Sequence, residues 1–289
     1  NAVGMAIAEK VLASRFNTEE HKIIDHMTYV FTGDGCLMEG ISHEACSLAG
    51  TLGLGNLIAV YDDNDISIDG NVEGWFTEDI PRRFEAYGWE VIPNIDGHNP
   101  DEIDSAIQKA KSNKDNPTLI CCKTIIGKGS PNMAGTASAH GAIVNPEEIA
   151  LTRNELNWEN DPFDIPKEVY DDWDSRESGK LQEEAWEKIF QDYSEENPEL
   201  SSELKRIIDG KLPEGIEESI YSYVEEVQKD LPKMATRVSS QKVLNVLGPL
   251  IPELLGGSAD LTGSNNTNWE GTKAIRADDF LGNYINFGV

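Results

Sequence analysis

The sequence predicts an α/β fold built on a doubly wound parallel sheet, and three observations carry that prediction. Short apolar runs alternate with helical patterns of ten or more residues through the first half of the chain. Two of those runs end in polar turns, Gly33-Asp34-Gly35 and Asp62-Asp63-Asn64. A helix-length stretch separates the two turns, as a crossover between neighbouring parallel strands requires.

In chain order, Ala2 to Phe16 carries Val3, Ile7, Val11 and Leu12 at helical spacing. Met27 to Phe31 reads as a short buried strand, and Met38 to Leu52 as a helix with Ala and Leu on one face. Asn56 to Tyr61 is the next strand. Helix signals at 78–87, a strand at 89–92, a helix at 100–111 opened by Asn99-Pro100, and a strand at 117–123 complete the series. In such sheets ligands bind beyond the carboxyl ends of the strands.

Residues 145–232 differ. They hold 26 acidic and 9 basic residues, with Trp158, Trp173 and Trp186 among long polar helical runs such as Lys180 to Tyr193. They read as a helical connection held down by its aromatics. A new pattern starts near Ser239, with Ser239 or Ser240 capping a helix to about Leu250, strand character from Glu253 to Gly257, and another strand at Tyr284 to Phe287. The domain reading is therefore 1–143, a linker over 144–235, and the start of a second α/β domain over 236–289.

The composition limits function. The 289 residues include 24 Lys+Arg and 52 Asp+Glu, a formal net charge of −28. Sequence-independent binding to nucleic acid or to an anionic membrane needs a basic face, so neither partner is expected. No apolar run reaches the roughly 18–20 residues of a membrane span. The chain begins at Asn1 with no visible signal peptide. Cys36, Cys46, Cys121 and Cys122 lack metal-site spacing and read as free thiols, which suits a cytoplasmic protein.

The chemistry concentrates at the two turns. Asp34 and Asn64 supply a carboxylate and an amide oxygen, and loop carbonyls complete an all-oxygen set suited to Mg²⁺ or Ca²⁺. Gly33 and Gly35 permit close approach of an anion, and the following helix would direct its N-terminus there. The physical reading is a divalent metal bridging a diphosphate. His43 reads as helix packing at a dimer face and His98 as part of a turn. His21 and His26 lie outside any motif, and Trp75 and Phe76 pack the metal loop.

Gly33-Asp34-Gly35 with Asp63-Asn64 resembles the thiamine diphosphate fingerprint, and the surrounding words resemble the transketolase family. Those words are GDGCLMEGISHEACSLAGTLGLGNLIAVYDDNDISIDG (33–70), GWFTED (74–79), RFEAYGW (83–89), KTIIGKGSPNMAGT (123–136), HGA (140–142) and GGSADLTGSN (256–265). The likeness runs from Asn1 to Val289. It implies a three-domain chain with a thiamine diphosphate-binding fold, working as a homodimer with active sites between subunits. The implied reaction moves a two-carbon ketol unit between sugar phosphates in the pentose phosphate pathway.

Carried over by position, the resemblance implies Asp34, Asn64 and the Ile66 main-chain oxygen as metal ligands. Gly35 and Asn64 match diphosphate contacts, Ile68 an apolar contact to the cofactor, and Asp260 a cofactor contact from the partner subunit. His140 matches a catalytic histidine near cofactor and substrate. Arg237 and Ser264 match contacts to the sugar phosphate. Glu39 and Glu44 match a dimer-interface carboxylate network. Ala137 stands where family members often carry a first His before His140. The family's upstream segment would precede Asn1, and the Arg-Glu carrying its catalytic glutamate would follow Val289, so the chain alone is expected to be inactive. Two other readings stay open: a related enzyme such as dihydroxyacetone synthase, and a non-catalytic cofactor- or partner-binding module.

Overall fold

A computed structural model describes residues 1–289, which form two compact units. One comprises Asn1–Ile7 with His26–Glu183, the other Ala8–Asp25 with Glu184–Val289. Helix α1 (Ala2–Phe16) contributes to both. No helix is long and apolar enough to cross a membrane.

The first unit is built on β1 (Thr28–Gly33), α2 (Asp34–Met38), α3 (Gly40–Thr51), β2 (Leu57–Asp63), the hairpin β3 (Ile66–Ser67) and β4 (Gly70–Asn71), α4 (Ile80–Ala86), β5 (Glu90–Asp96), α5 (Pro100–Ser112), β6 (Thr118–Lys123) and α6 (Pro146–Glu155). Its main sheet has the order β1-β2-β6-β5, with every neighbour parallel. On one face Ala106 and Ala110 of α5 pack on Ile58, Ile92, Ile120 and Cys122. The other face buries Leu57 and Leu119 beside Phe84 and Trp89. The sheet is therefore covered on both sides, as the near-continuous apolar strands require.

Helix α5 begins where Asn99 Oδ1 accepts from the amides of Asp101 (3.1 Å) and Glu102 (3.4 Å). Two elements of this unit differ from expectation. The helix expected from Met38 starts at Asp34 and breaks at Glu39, whose backbone is extended, and the Ser42 hydroxyl takes up the Cys36 carbonyl at 2.5 Å. Strand β5 continues past Pro93 because Asn94, at φ 60°, forms a bulge, which an edge strand tolerates. The cysteines are unpaired. Burial pushes the Cys46 thiol up to about 11 and, with help from Asp63 and Cys122, the Cys121 thiol up to about 12.

Further along, α7 (Lys167–Trp173), α8 (Arg176–Glu196), α9 (Pro198–Ile208) and α10 (Ile216–Asp230) give the acidic stretch its helical character. Of its tryptophans, Trp186 does anchor: its Nε1 donates to the Ile23 carbonyl at 3.0 Å and its ring stacks on Phe190. Trp173 does not, being 84% exposed.

The second unit has a core of Phe16, Ile23, Tyr193 and Leu204. It also holds α11 (Thr236–Leu247), β7 (Gly256–Ser258), α12 (Thr262–Asn265) and β8 (Tyr284–Asn286), with β7 parallel to β8. Ser239 and Ser240 lie inside α11 rather than capping it; the helix starts after Ala235 with no side-chain cap.

Arg206 ties α9 to the segment before β7. Its guanidinium donates to Glu203 (2.6 and 2.8 Å) and to Glu253 (2.7 and 2.9 Å), and its side chain is mostly buried. Both partners raise the arginine pKa by hydrogen bonding to its charged form. Arg206→Lys keeps the charge but loses the planar fork, and is expected to cost about 1–3 kcal/mol in denaturant unfolding. Arg176→Ala, which breaks a solvent-exposed pair with Asp174, should leave stability unchanged.

Candidate functional site

Register fixes the site. In β1, Gly33 lies beside Asp62 of β2, and Asp63 lies beside Lys123 of β6. The turns that follow β1 and β2 therefore emerge together at the carboxyl edge of the sheet.

Asp34 is the centre. It is 3% exposed, and its Oδ1 accepts a hydrogen bond from the Tyr61 hydroxyl. Its Oδ2 is buried with no hydrogen-bond partner. Burial raises the Asp34 pKa and Asp63 and Asp65 raise it further, while the Tyr61 bond and Lys123 pull it down. Burial and the same carboxylate hold the Tyr61 phenol far above its usual range, so it stays a donor. A buried carboxylate oxygen without a partner is costly, and either a hydrogen-bond donor or a cation would satisfy it.

Around it Asp34, Tyr61, Asp63, Asp65, Glu78 and Lys123 line a cavity of about 160 Å³. Lys123 Nζ lies 2.9 Å from Asp63 Oδ1 and 3.3 Å from Asp65 Oδ2, so part of the negative charge is already countered. Asp65 sits in the left-handed region at φ 61° and turns the chain into the β3–β4 hairpin. Asn64 Oδ1 accepts from the Ile66 amide at 3.0 Å, and its Nδ2 donates to Asp62 Oδ2 at 3.3 Å. Asn64 and Ile66 flank Asp65 without lining the cavity.

The other residues implied by the resemblance fall into two groups. Gly35 is exposed in α2, Glu39 is exposed at the helix break, and Glu44 is exposed on α3. Ile68 is 75% exposed at the hairpin turn. His140 is exposed, and its amide closes a 3-10 turn over residues 137–139 by donating to the Ala137 carbonyl at 3.0 Å. All of these belong to the first unit. Arg237, in the first turn of α11, is exposed; Asp260 has φ 52°; Ser264 lies in α12. These three belong to the second unit.

The loop from β6 to His140 is fastened from behind. Buried Glu148 of α6 accepts from the Ser130 hydroxyl, the Asn132 amide (2.9 Å) and Asn132 Nδ2 (2.8 Å), and these bonds hold its carboxyl below the usual range. His98 does more than make a turn: its Nε2 accepts from the Ile125 amide at 2.9 Å. His43 joins α3 to α4 within the chain, 2.8 Å from Tyr87 Oη and 3.3 Å from Arg83 Nη1. Phe76 lines the Asp34 cavity, whereas Trp75 is largely exposed. Sequence reasoning missed Tyr61 and Lys123. Their only trace was a tyrosine and a lysine at the carboxyl ends of otherwise apolar strands.

A family model described as "Transketolase, thiamine diphosphate binding domain" matches residues 1–213. The chain belongs to the transketolase family. It is 58% identical to Transketolase 2 of Vibrio parahaemolyticus and 55% identical to Transketolase 2 of Escherichia coli, in each case over all of this chain and 43% of the relative. A crystal structure of Pichia stipitis transketolase in complex with sedoheptulose 7-phosphate superposes with a TM-score of 0.90 at 40% identity, again over the whole chain and 43% of that protein. Transketolase from Leishmania mexicana gives a TM-score of 0.90 at 37% identity. The chain thus spans less than half the length of the transketolases it matches, and the α/β thiamine diphosphate-binding fold is that of the family.

Proposed function

We propose that this chain holds the diphosphate and metal of thiamine diphosphate in a transketolase that moves a two-carbon ketol unit from a ketose phosphate to an aldose phosphate. The observation that carries the reading is Asp34 Oδ2, buried without a partner at the carboxyl edge of a sheet whose family binds this cofactor. Gly35 adds support. It lacks the positive φ that demands glycine, and a Cβ there would meet no protein atom within 4 Å. The space it leaves suits a ligand.

When bound, thiamine diphosphate supplies the electron sink for breaking and making a carbon–carbon bond, which no side chain here offers. The chain's residues bind and orient. Asp34, Asn64 and the Ile66 carbonyl would hold Mg²⁺ or Ca²⁺, and Gly35 and Asn64 would meet the diphosphate. Ile68, exposed at the hairpin turn, would present an apolar side chain to the cofactor. His140 would position the substrate, Arg237 and Ser264 its phosphate, and Asp260 the cofactor of the partner subunit. Glu39 and Glu44 would join a carboxylate network across a homodimer interface.

In this reading residues 1–143 form the diphosphate-binding domain, 144–235 the linker, and 236–289 the start of the pyrimidine-binding domain. The protein would act in the cytoplasmic pentose phosphate pathway with neither nucleic acid nor membrane as a partner. The test is transfer from xylulose 5-phosphate to ribose 5-phosphate by the full-length protein carrying this chain. Activity that requires both thiamine diphosphate and Mg²⁺ supports the proposal. Absence of transfer with both present overturns it.

A further inference from the structure

We propose that Glu20, His21 and Glu196 form a binding site for one divalent transition-metal ion of the Zn²⁺ class, within the second unit and separate from the Asp34 site. The case begins with an imidazole nitrogen that has nothing to do. His21 Nδ1 is buried and has no hydrogen-bond partner, and its side chain is only 13% exposed. A buried ring nitrogen left unmatched costs free energy, so its surroundings call for a proton donor or a metal.

The distance to the nearest carboxylate separates these alternatives. Glu196 Oε2 lies 3.7 Å from Nδ1, too far for a hydrogen bond. Two ligands sharing one tetrahedral Zn²⁺, with bonds of about 2.0–2.2 Å, stand roughly 3.4 Å apart. The observed gap is close to that of a shared ion. Ligand atoms from Glu20, His21 and Glu196 all lie within 4.8 Å of one another, and the exposed Glu20 side chain can close the remainder by a rotamer change.

The frame is rigid where it needs to be. The His21 amide donates to Thr18 Oγ1 at 3.0 Å, and the Thr18 amide donates back to the His21 carbonyl at 2.9 Å. Asn17 Oδ1 accepts from the amides of Ile23 (3.0 Å) and Ile24 (2.9 Å), closing the same loop. The imidazole meets the Tyr193 ring edge-on at 6.0 Å, which fixes its plane. Glu196 is the last residue of α8, at the end where the helix dipole favours positive charge. Neither glutamate pairs with a lysine or an arginine, so their charge is available to a cation.

One imidazole with two carboxylates selects a borderline ion over Mg²⁺ or Ca²⁺, which favour oxygen alone. Water would fill the fourth position. The ion would pin the 17–25 loop to the end of α8, a structural clamp with no part in transfer chemistry.

The test is calorimetric titration of the protein with ZnCl₂ in the presence of excess MgCl₂, which occupies all-oxygen sites. One Zn²⁺ per chain is expected, with affinity falling at least tenfold in His21→Gln and in Glu196→Gln. Asp34→Asn should leave this binding unchanged, which separates the site from the proposed cofactor metal. Glu196 is exposed, so its variant decides the matter if His21→Gln does not fold. Absence of Zn²⁺ binding overturns the proposal, as does unchanged affinity in the Glu196 variant. In either case His21 is a buried histidine 3.7 Å from Glu196 and nothing more.

Discussion

Asp34→Asn, measured without divalent cation, melts above the unsubstituted protein and no longer gains stability from Mg²⁺. Both halves follow from the same two oxygens. Oδ1 is satisfied by the Tyr61 hydroxyl, and an asparagine oxygen can accept that bond equally. Oδ2 is buried and unpartnered, and burial together with Asp63 and Asp65 penalises the charged form of the carboxyl. A neutral amide removes that charge, for a gain of about 1–2 kcal/mol in the cation-free protein. The unsubstituted protein should recover the deficit when Mg²⁺ binds. At a concentration one hundred times the dissociation constant, linkage gives about 2.7 kcal/mol. The expected result is a crossing: the variant is more stable in EDTA and less stable in saturating Mg²⁺. Scanning calorimetry in the two buffers reads it directly. An Mg²⁺ shift of the same size in both proteins would remove Asp34 from the metal site. In the proposed metal role, stability would be traded for function, the usual origin of an unpaired buried charge.

What could be read from the residues alone follows the range of the forces involved. Strands β1, β2 and β6 and helices α1 and α5 were legible because apolar periodicity and Asn99-Pro100 capping act within a few residues. The placement of Asp34 and Asn64 beyond neighbouring strands was legible too, since a helical crossover between parallel strands leaves few other arrangements. The break at Glu39 was not, because Ser42 reaching the Cys36 carbonyl is a side-chain choice with no hydrophobic period. Nor was the continuation of β5 past Pro93, which depends on β5 being an edge. The Tyr61 bond to Asp34 and the Arg206 bridge to Glu253 join residues 27 and 47 positions apart. No local pattern announces such pairs. The family resemblance implied roles for the proposed ligands but was silent on the side chains that hold them.

Gly50→Ala and Gly35→Ala should have opposite consequences, although both replace a helical glycine by the best helix former. At Gly50 the added Cβ would lie 1.8 Å from the Tyr87 carbonyl oxygen and 2.8 Å from its carbon. Those are backbone atoms held at the end of α4, so no rotamer relieves the contact. Helix α3 must move off α4, straining the His43–Tyr87–Arg83 link between them. Against a helix-propensity gain of up to about 1 kcal/mol, the clash should leave a net loss of about 3 kcal/mol. The urea midpoint should fall with an unchanged slope. At Gly35 nothing lies within 4 Å of the new methyl, so the propensity gain stands alone and the midpoint should hold or rise. The proposed diphosphate contact is what suffers, with thiamine diphosphate affinity in the full-length protein expected to fall at least tenfold, about 1.4 kcal/mol. The pair thus separates a glycine required by the fold from one required by a ligand. Full cofactor affinity in Gly35→Ala would mean that the open space beside Asp34 belongs to solvent. A Gly50→Ala protein as stable as its parent would mean that α3 packs on α4 more loosely than the 1.8 Å approach requires.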